Sequence, residues 1–115
     1  MIQKFIDAMQ AGDYMALSAC FTENGRLFDY CPVGKGNHSG SQHVCNFFVH
    51  GQKAIEMFFH NKFFFRAISI ADPVINDDRS ADYFVSYNGE YVYARAQIES
   101  FGPDGLIQDL VVRLA

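Results

Sequence analysis

The chain has 115 residues, the length of one domain, and half of them are hydrophobic, which is enough to build a core. A net charge of −4 with no long run of either sign excludes a basic footprint for nucleic acid and a polybasic membrane patch. The longest apolar runs, such as the three phenylalanines at 63–65, are far too short to span a bilayer.

In chain order, Ile2, Phe5, Ile6 and Met9 fall at i, i+3, i+4 and i+7, which predicts a helix over 2–11. Gly12 ends it, and Asp13 is suited to cap a second helix over 13–21. "ENG" at 23–25 reads as a turn. "RLFDYC" predicts a strand over 25–31, with Arg26, Phe28 and Tyr30 on one face and Leu27, Asp29 and Cys31 on the other. Residues 32–50 open on Pro32 and are punctuated by Gly34, Gly36 and Gly40. They read as a long connection with a short extended piece at "VCNFFV". A third helix is predicted over 51–63, with Ile55, Phe58, Phe59 and Phe63 as its buried stripe. The hydrophobic period then changes from helical to alternating. Strands are predicted over 65–75, 80–87, 90–101 and 105–114. Asn88-Gly89, between two alternating runs, is the strongest hairpin signal. Pro73 lacks an amide donor and marks a bulge, an edge or the end of regular pairing. The order predicts an α+β domain over 1–115, with three helices on one face of a curved, mostly antiparallel sheet. Ile2, Phe5, Ile6, Leu17, Phe21, Ile55, Phe58 and Phe59 are expected to be buried.

"AGDYMALSACF", "GQKAIEMFF" and a meander ending in "DGLIQDLVV" together resemble the nuclear transport factor 2-like superfamily. The nearest branches are the SnoaL-like polyketide cyclases and ketosteroid isomerase. The resemblance covers nearly the whole chain and rests on a helix cap and two amphipathic stripes, which specify architecture more than chemistry. It implies a cystatin-like cone-shaped barrel with a pocket between the helices and the concave sheet, often dimeric through the outer sheet face. Carried over without gaps from Phe21, the isomerase's general-base aspartate falls on Asp29. Its tyrosine donor falls on Phe5, which has no proton to give, and its second donor falls near Gln97 or Ile98. The acid/base aspartate of the cyclases falls on Val112. The catalytic pattern of neither branch is therefore complete.

Asp29 is the first catalytic candidate, because partial burial raises a carboxyl toward the range useful for proton abstraction. The plain structural reading pairs it instead with Arg26 or Arg66. On strand 90–101, Tyr91, Tyr93, Arg95, Gln97 and Glu99 share one face. A convex face, polar or dimer-facing, is one alternative; a pairing of Gln97 with Leu110 and of Arg95 with Val112 favours the other, a concave, pocket-lining face. Tyr14, Tyr30, Phe58, Tyr93, Arg95, Gln97, Leu110 and Val112 are then expected around the ligand. Asp109 pleats to the opposite face and reads as structural. His38, His43, Cys45 and His50 lie in one stretch with Cys31 just upstream. The spacing does not exclude a metal, but no two cysteines are close in sequence, and a metal-dependent protein using 31–50 is a third reading, behind an enzyme and a binding module. His43 and His50 are kept as ligand-binding or acid/base candidates, and no metal or cofactor is expected. Three cysteines cannot all pair within one chain, so free thiols and a reducing cytoplasm are expected.

The reading is a small-molecule-binding domain with an apolar, aromatic-lined pocket for a small organic ligand. It could work as a cofactor-independent isomerase, cyclase or dehydratase. The alternative is a non-catalytic binding or dimerisation module of the same fold. A homodimer is expected through the sheet's outer face, because both faces of strand 90–101 carry apolar or aromatic residues.

Overall fold

The computed structural model describes residues 1–31 and 45–115. Among the described residues, the helices are α1 (Ile2–Ala11), α2 (Tyr14–Ala19) and α3 (Gln52–Phe64). The strands are β1 (Phe21–Asp29), β2 (Phe47–His50), β3 (Ile68–Ile75), β4 (Ser80–Tyr87), β5 (Glu90–Phe101) and β6 (Ile107–Leu114). They form one six-stranded sheet in the order β2-β1-β6-β5-β4-β3. Every pairing is antiparallel except β1 with β6, which is parallel and joins the first strand to the last.

Local chemistry sets the boundaries. Gly12 adopts the left-handed conformation at φ 66°, and its N–H closes α1 on the carbonyls of Ala8 and Met9. The Asp13 carboxylate accepts from the Ala16 amide and starts α2. In the hairpin between β4 and β5, Asn88 (φ 53°) and Gly89 (φ 89°) both have positive φ, as a two-residue turn matching strand twist requires. Pro73 sits in a bulge of β3, an edge strand, between Ala71 and Val74. Helices and sheet share one core. Phe5 of α1 meets Phe21 of β1 edge to face at 6.2 Å, and Ile55 and Phe59 of α3 are buried beside them. Each such side chain contributes about 1.5–3 kcal/mol by leaving water.

The structure corrects the sequence reading in several places. The short extended piece expected within the connection is a sixth strand, β2, paired at the sheet edge: Asp29 pairs with Phe47 and Leu27 with Val49. The second helix ends at Ala19, and Phe21 belongs to β1, paired with Ile107 across a bulge. Phe58 is only half-buried.

That β1 bulge depends on Gly25. A Cβ there would lie 2.9 Å from the Phe21 Cβ and 3.0 Å from the carbonyl oxygens of Ile107 and Thr22. None of those neighbours is a flexible side-chain tip. Gly25→Ala is therefore expected to destabilise the fold by about 1–3 kcal/mol, as overpacked sites do. Urea denaturation should show this as a lower midpoint at unchanged slope.

Candidate functional site

The inner face of β1 carries Leu27, Asp29 and Cys31 into the cone. Asp29 is 2% exposed. Neither arginine considered as a partner reaches it, since Arg26 is bound to Asp109 on the other face of the sheet. Two donors hold it instead. The Cys31 amide donates to one carboxylate oxygen at 2.8 Å, and the Tyr87 hydroxyl, at the end of β4, donates to the other. Burial pushes the Asp29 carboxyl up to about 6, against the opposing pull of the bonds from Tyr87 and Cys31. Burial, reinforced by the charge of Asp29, also raises the Tyr87 hydroxyl and the Cys31 thiol. Tyr87 therefore stays protonated at neutral pH and acts as a donor. Tyr83, two pleat repeats away on the same face of β4, is fully enclosed and is raised by burial in the same way.

The void beside Asp29 is about 10 Å³, walled by Phe5, Leu27, Phe59, Tyr83 and Val112 among others. That is the size of a single water at most. Phe5, standing where the resemblance puts a donor tyrosine, is part of this apolar wall. Adjoining the void is a cleft of about 160 Å³, lined by Asn46, Phe47, Phe58, Lys62, Ala67, Ile68, Tyr87 and Asn88. Phe47, Ile68 and Tyr87 line both spaces and form the partition between them. A larger groove of about 500 Å³ runs between α1 and α2. It is floored by alanines, and no buried acid–donor pair of the kind at Asp29 is described there.

Several expected site residues lie elsewhere. Tyr93 and Arg95 are exposed on the outer face of β5, with Gln97 half-buried beside them, while Ala94, Ala96 and Ile98 point inward. The cause is register. Bulges around Ser100 place Ile98, not Gln97, opposite Leu110, and Arg95 faces Arg113. A shift of one residue turns every side chain to the other face. Arg95 instead binds Asp82 at 2.7 Å. Tyr30 also faces outward, beneath the Arg113 guanidinium at 5.1 Å. His50 is exposed and stacks on Phe48. Tyr14 meets His60 edge to face on the helical side. Leu110 is buried in the core, whereas Val112 does reach the void. Asp109 faces outward, held by Arg26 and Ser100. His38 and His43 lie outside the described residues. No group of three or more His, Cys, Asp or Glu able to hold a metal ion occurs among the described residues. No described helix is long and apolar enough to cross a membrane.

Tyr87 and Tyr83 are the residues that sequence reasoning missed. Their signal was present in the alternation of "ADYFVSY", which sets both on one face four apart. Nothing local showed that this face opposes Asp29.

No family profile and no curated protein matches the chain. Solved structures do. An NTF2-like protein of unknown function from Cytophaga hutchinsonii superposes with a TM-score of 0.61 at 15% identity, over 96% of this chain and 83% of that one. A SnoaL-like protein of unknown function from Burkholderia thailandensis gives 0.58 at 16% identity, over 99% and 91%. A ketosteroid isomerase candidate from Kribbella flavida gives 0.57 at 12% identity, over 99% and 74%. The chain shares the cystatin-like fold of these NTF2-like, SnoaL-like and ketosteroid isomerase-like structures.

Because folding raises the Asp29 carboxyl, the fold favours its neutral form. That contribution to stability is complete below about 3.8 and is lost as pH rises through about 6. At pH 7 the buried carboxylate opposes folding by roughly 3 kcal/mol at most. Asp29→Asn is therefore expected to be more stable than the native protein at pH 7, by about 1–3 kcal/mol. The difference should vanish near pH 4, and thermal melts at the two pH values will measure it.

Proposed function

We propose that Asp29 and Tyr87 form an acid–base pair acting on a small organic ligand that approaches through the cleft at Phe47 and Phe58. The observation that supports it is a buried, raised carboxyl held by a tyrosine hydroxyl directly behind an open cleft with an aromatic wall. A perturbed carboxyl in such a place suits the abstraction of a proton from carbon beside a carbonyl. The ionised Asp29 would take that proton. The Tyr87 hydroxyl would turn from Asp29 to the ligand's carbonyl oxygen and stabilise the charge developing there. Return of the proton from Asp29 to another carbon completes an isomerisation, and no cofactor is required. The void at Asp29 is smaller than any such ligand, so the partition of Phe47, Ile68 and Tyr87 must open for it to reach the carboxyl.

The filled interior supports a second reading, a non-catalytic module that works through its outer sheet face. That face exposes Phe48, Phe84, Tyr91 and Tyr93, with Phe84 and Tyr93 in contact at 4.7 Å. Apolar surface of this kind suits pairing with a second copy of the chain. Under either reading a homodimer is expected by light scattering at micromolar concentrations. Phe84→Glu with Tyr93→Glu should convert it to a monomer.

The acid–base reading is tested without knowing the substrate. Small cyclic and aromatic ketones are incubated in D₂O, and exchange of the protons beside the carbonyl is followed by NMR. Native protein should accelerate exchange of at least one of them, and Asp29→Asn should lose about 10²-fold or more of that rate. The rate should rise with pH through about 6, where Asp29 ionises, and then level off. No acceleration by the native protein, or full exchange by Asp29→Asn, would leave the non-catalytic reading.

A further inference from the structure

The cleft in front of Tyr87 also limits what can bind there. Its volume of about 160 Å³ compares with the ~150 Å³ at which an apolar protein cavity accepts a benzene ring. The rings of Phe47 and Phe58 lie 4.6 Å apart and, with Ile68, make its wall apolar. Its rim is polar and of one sign. Asn46 and Asn88 are neutral, no described lining residue is acidic, and Lys62 is the cation.

Lys62 lies on the half-buried side of α3, with Nζ 5.3 Å from the centre of the Phe58 ring. Among the described residues no carboxylate comes within ion-pair distance of it; the lysine of α3 that is paired is Lys53, with Glu56. A ring face holds an ammonium weakly and leaves its three N–H donors available to an anion. On the far side of the Tyr87 partition lies the carboxyl of Asp29, which is negative when ionised. An anionic ligand is therefore drawn to the rim by Lys62 and kept from the inner end by Asp29, which fixes its direction.

We propose that the cleft selects small monocyclic carboxylates, with the ring against Phe47 and Phe58 and the carboxylate on Lys62. The part of the ligand opposite the carboxylate then points at Tyr87 and Asp29. As a statement about substrate, this rests on the acid–base reading, because only that reading makes the inner end reactive. Lys62 is a specificity-determining residue and takes no part in proton transfer.

Benzoate and its neutral isostere benzamide are the probes, titrated at pH 7.5 and fixed ionic strength and followed by amide NMR shifts. Benzoate should move the amides of Phe47, Lys62, Tyr87 and Asn88 saturably, with a dissociation constant of about 1 mM for so few atoms. It should bind about tenfold more tightly than benzamide, as a charge-assisted bond at a partly exposed site implies. Lys62→Gln should abolish that preference, and Lys62→Arg should keep it. The spectrum of each variant also reports whether it is folded. Equal binding of the two probes, an unchanged preference in Lys62→Gln, or shifts confined to other surfaces would overturn the proposal. The titration reads binding alone. Its failure leaves Asp29 proton transfer standing, and a failed exchange assay leaves anion selection standing.

Discussion

The hydrogen bond from Tyr87 to the buried carboxyl of Asp29 is the constraint around which the rest of the site is arranged. It joins residues 58 apart in sequence, one on β1 and one on β4, across the mouth of the cone. Two effects of opposite sign meet at the carboxyl. Loss of water disfavours its charge, and the donors Tyr87 and Cys31 favour it. Burial wins, which is the condition for a carboxylate that is stable enough to exist at neutral pH and basic enough to accept a proton. The same balance weakens the fold at neutral pH. A site retained at the expense of stability is more readily explained by use than by packing.

The pleat of the sheet separates two chemistries. The inner face gives the core and the Asp29–Tyr87 pair. The outer face carries the ion pairs Arg26–Asp109 at 2.6 Å and Arg95–Asp82 at 2.7 Å, together with exposed aromatic rings. The arginines are 43% and 50% exposed, so these pairs add little to stability. Their effect is local: they hold side chains of β1, β4, β5 and β6 in place on the outer face.

The fold was legible in the sequence where the signals are local. The stripe of α1, the Gly12 stop, the Asp13 cap and the Asn88-Gly89 turn each follow from a few neighbouring residues, and the structure has all of them. The inward placement of Asp29 was legible from the alternation of β1 and from the family resemblance. What failed was non-local. The bulges around Ser100 shift the register by one residue, and Tyr93, Arg95 and Gln97 change face as a result. β2 is only four residues long, and what makes it a strand is the edge that β1 offers. Tyr87 could be assigned to an inward face, but its partner could not be read from a pattern that sees one strand at a time. Lys62 was hidden for the same reason, since its meaning comes from Phe58, Asn88 and Tyr87 lying around one cleft.

The ionisation of Asp29 is the property on which the site depends most directly. Its side-chain carboxyl carbon, labelled with ¹³C and followed by NMR from pH 3 to 9, reports that ionisation without reference to any ligand. The account predicts a midpoint at about 6, and a higher one in Tyr87→Phe, where the donor that favours the charged form is gone. A midpoint at or below the ~3.9 of a free aspartate, unmoved by the loss of Tyr87, would contradict it.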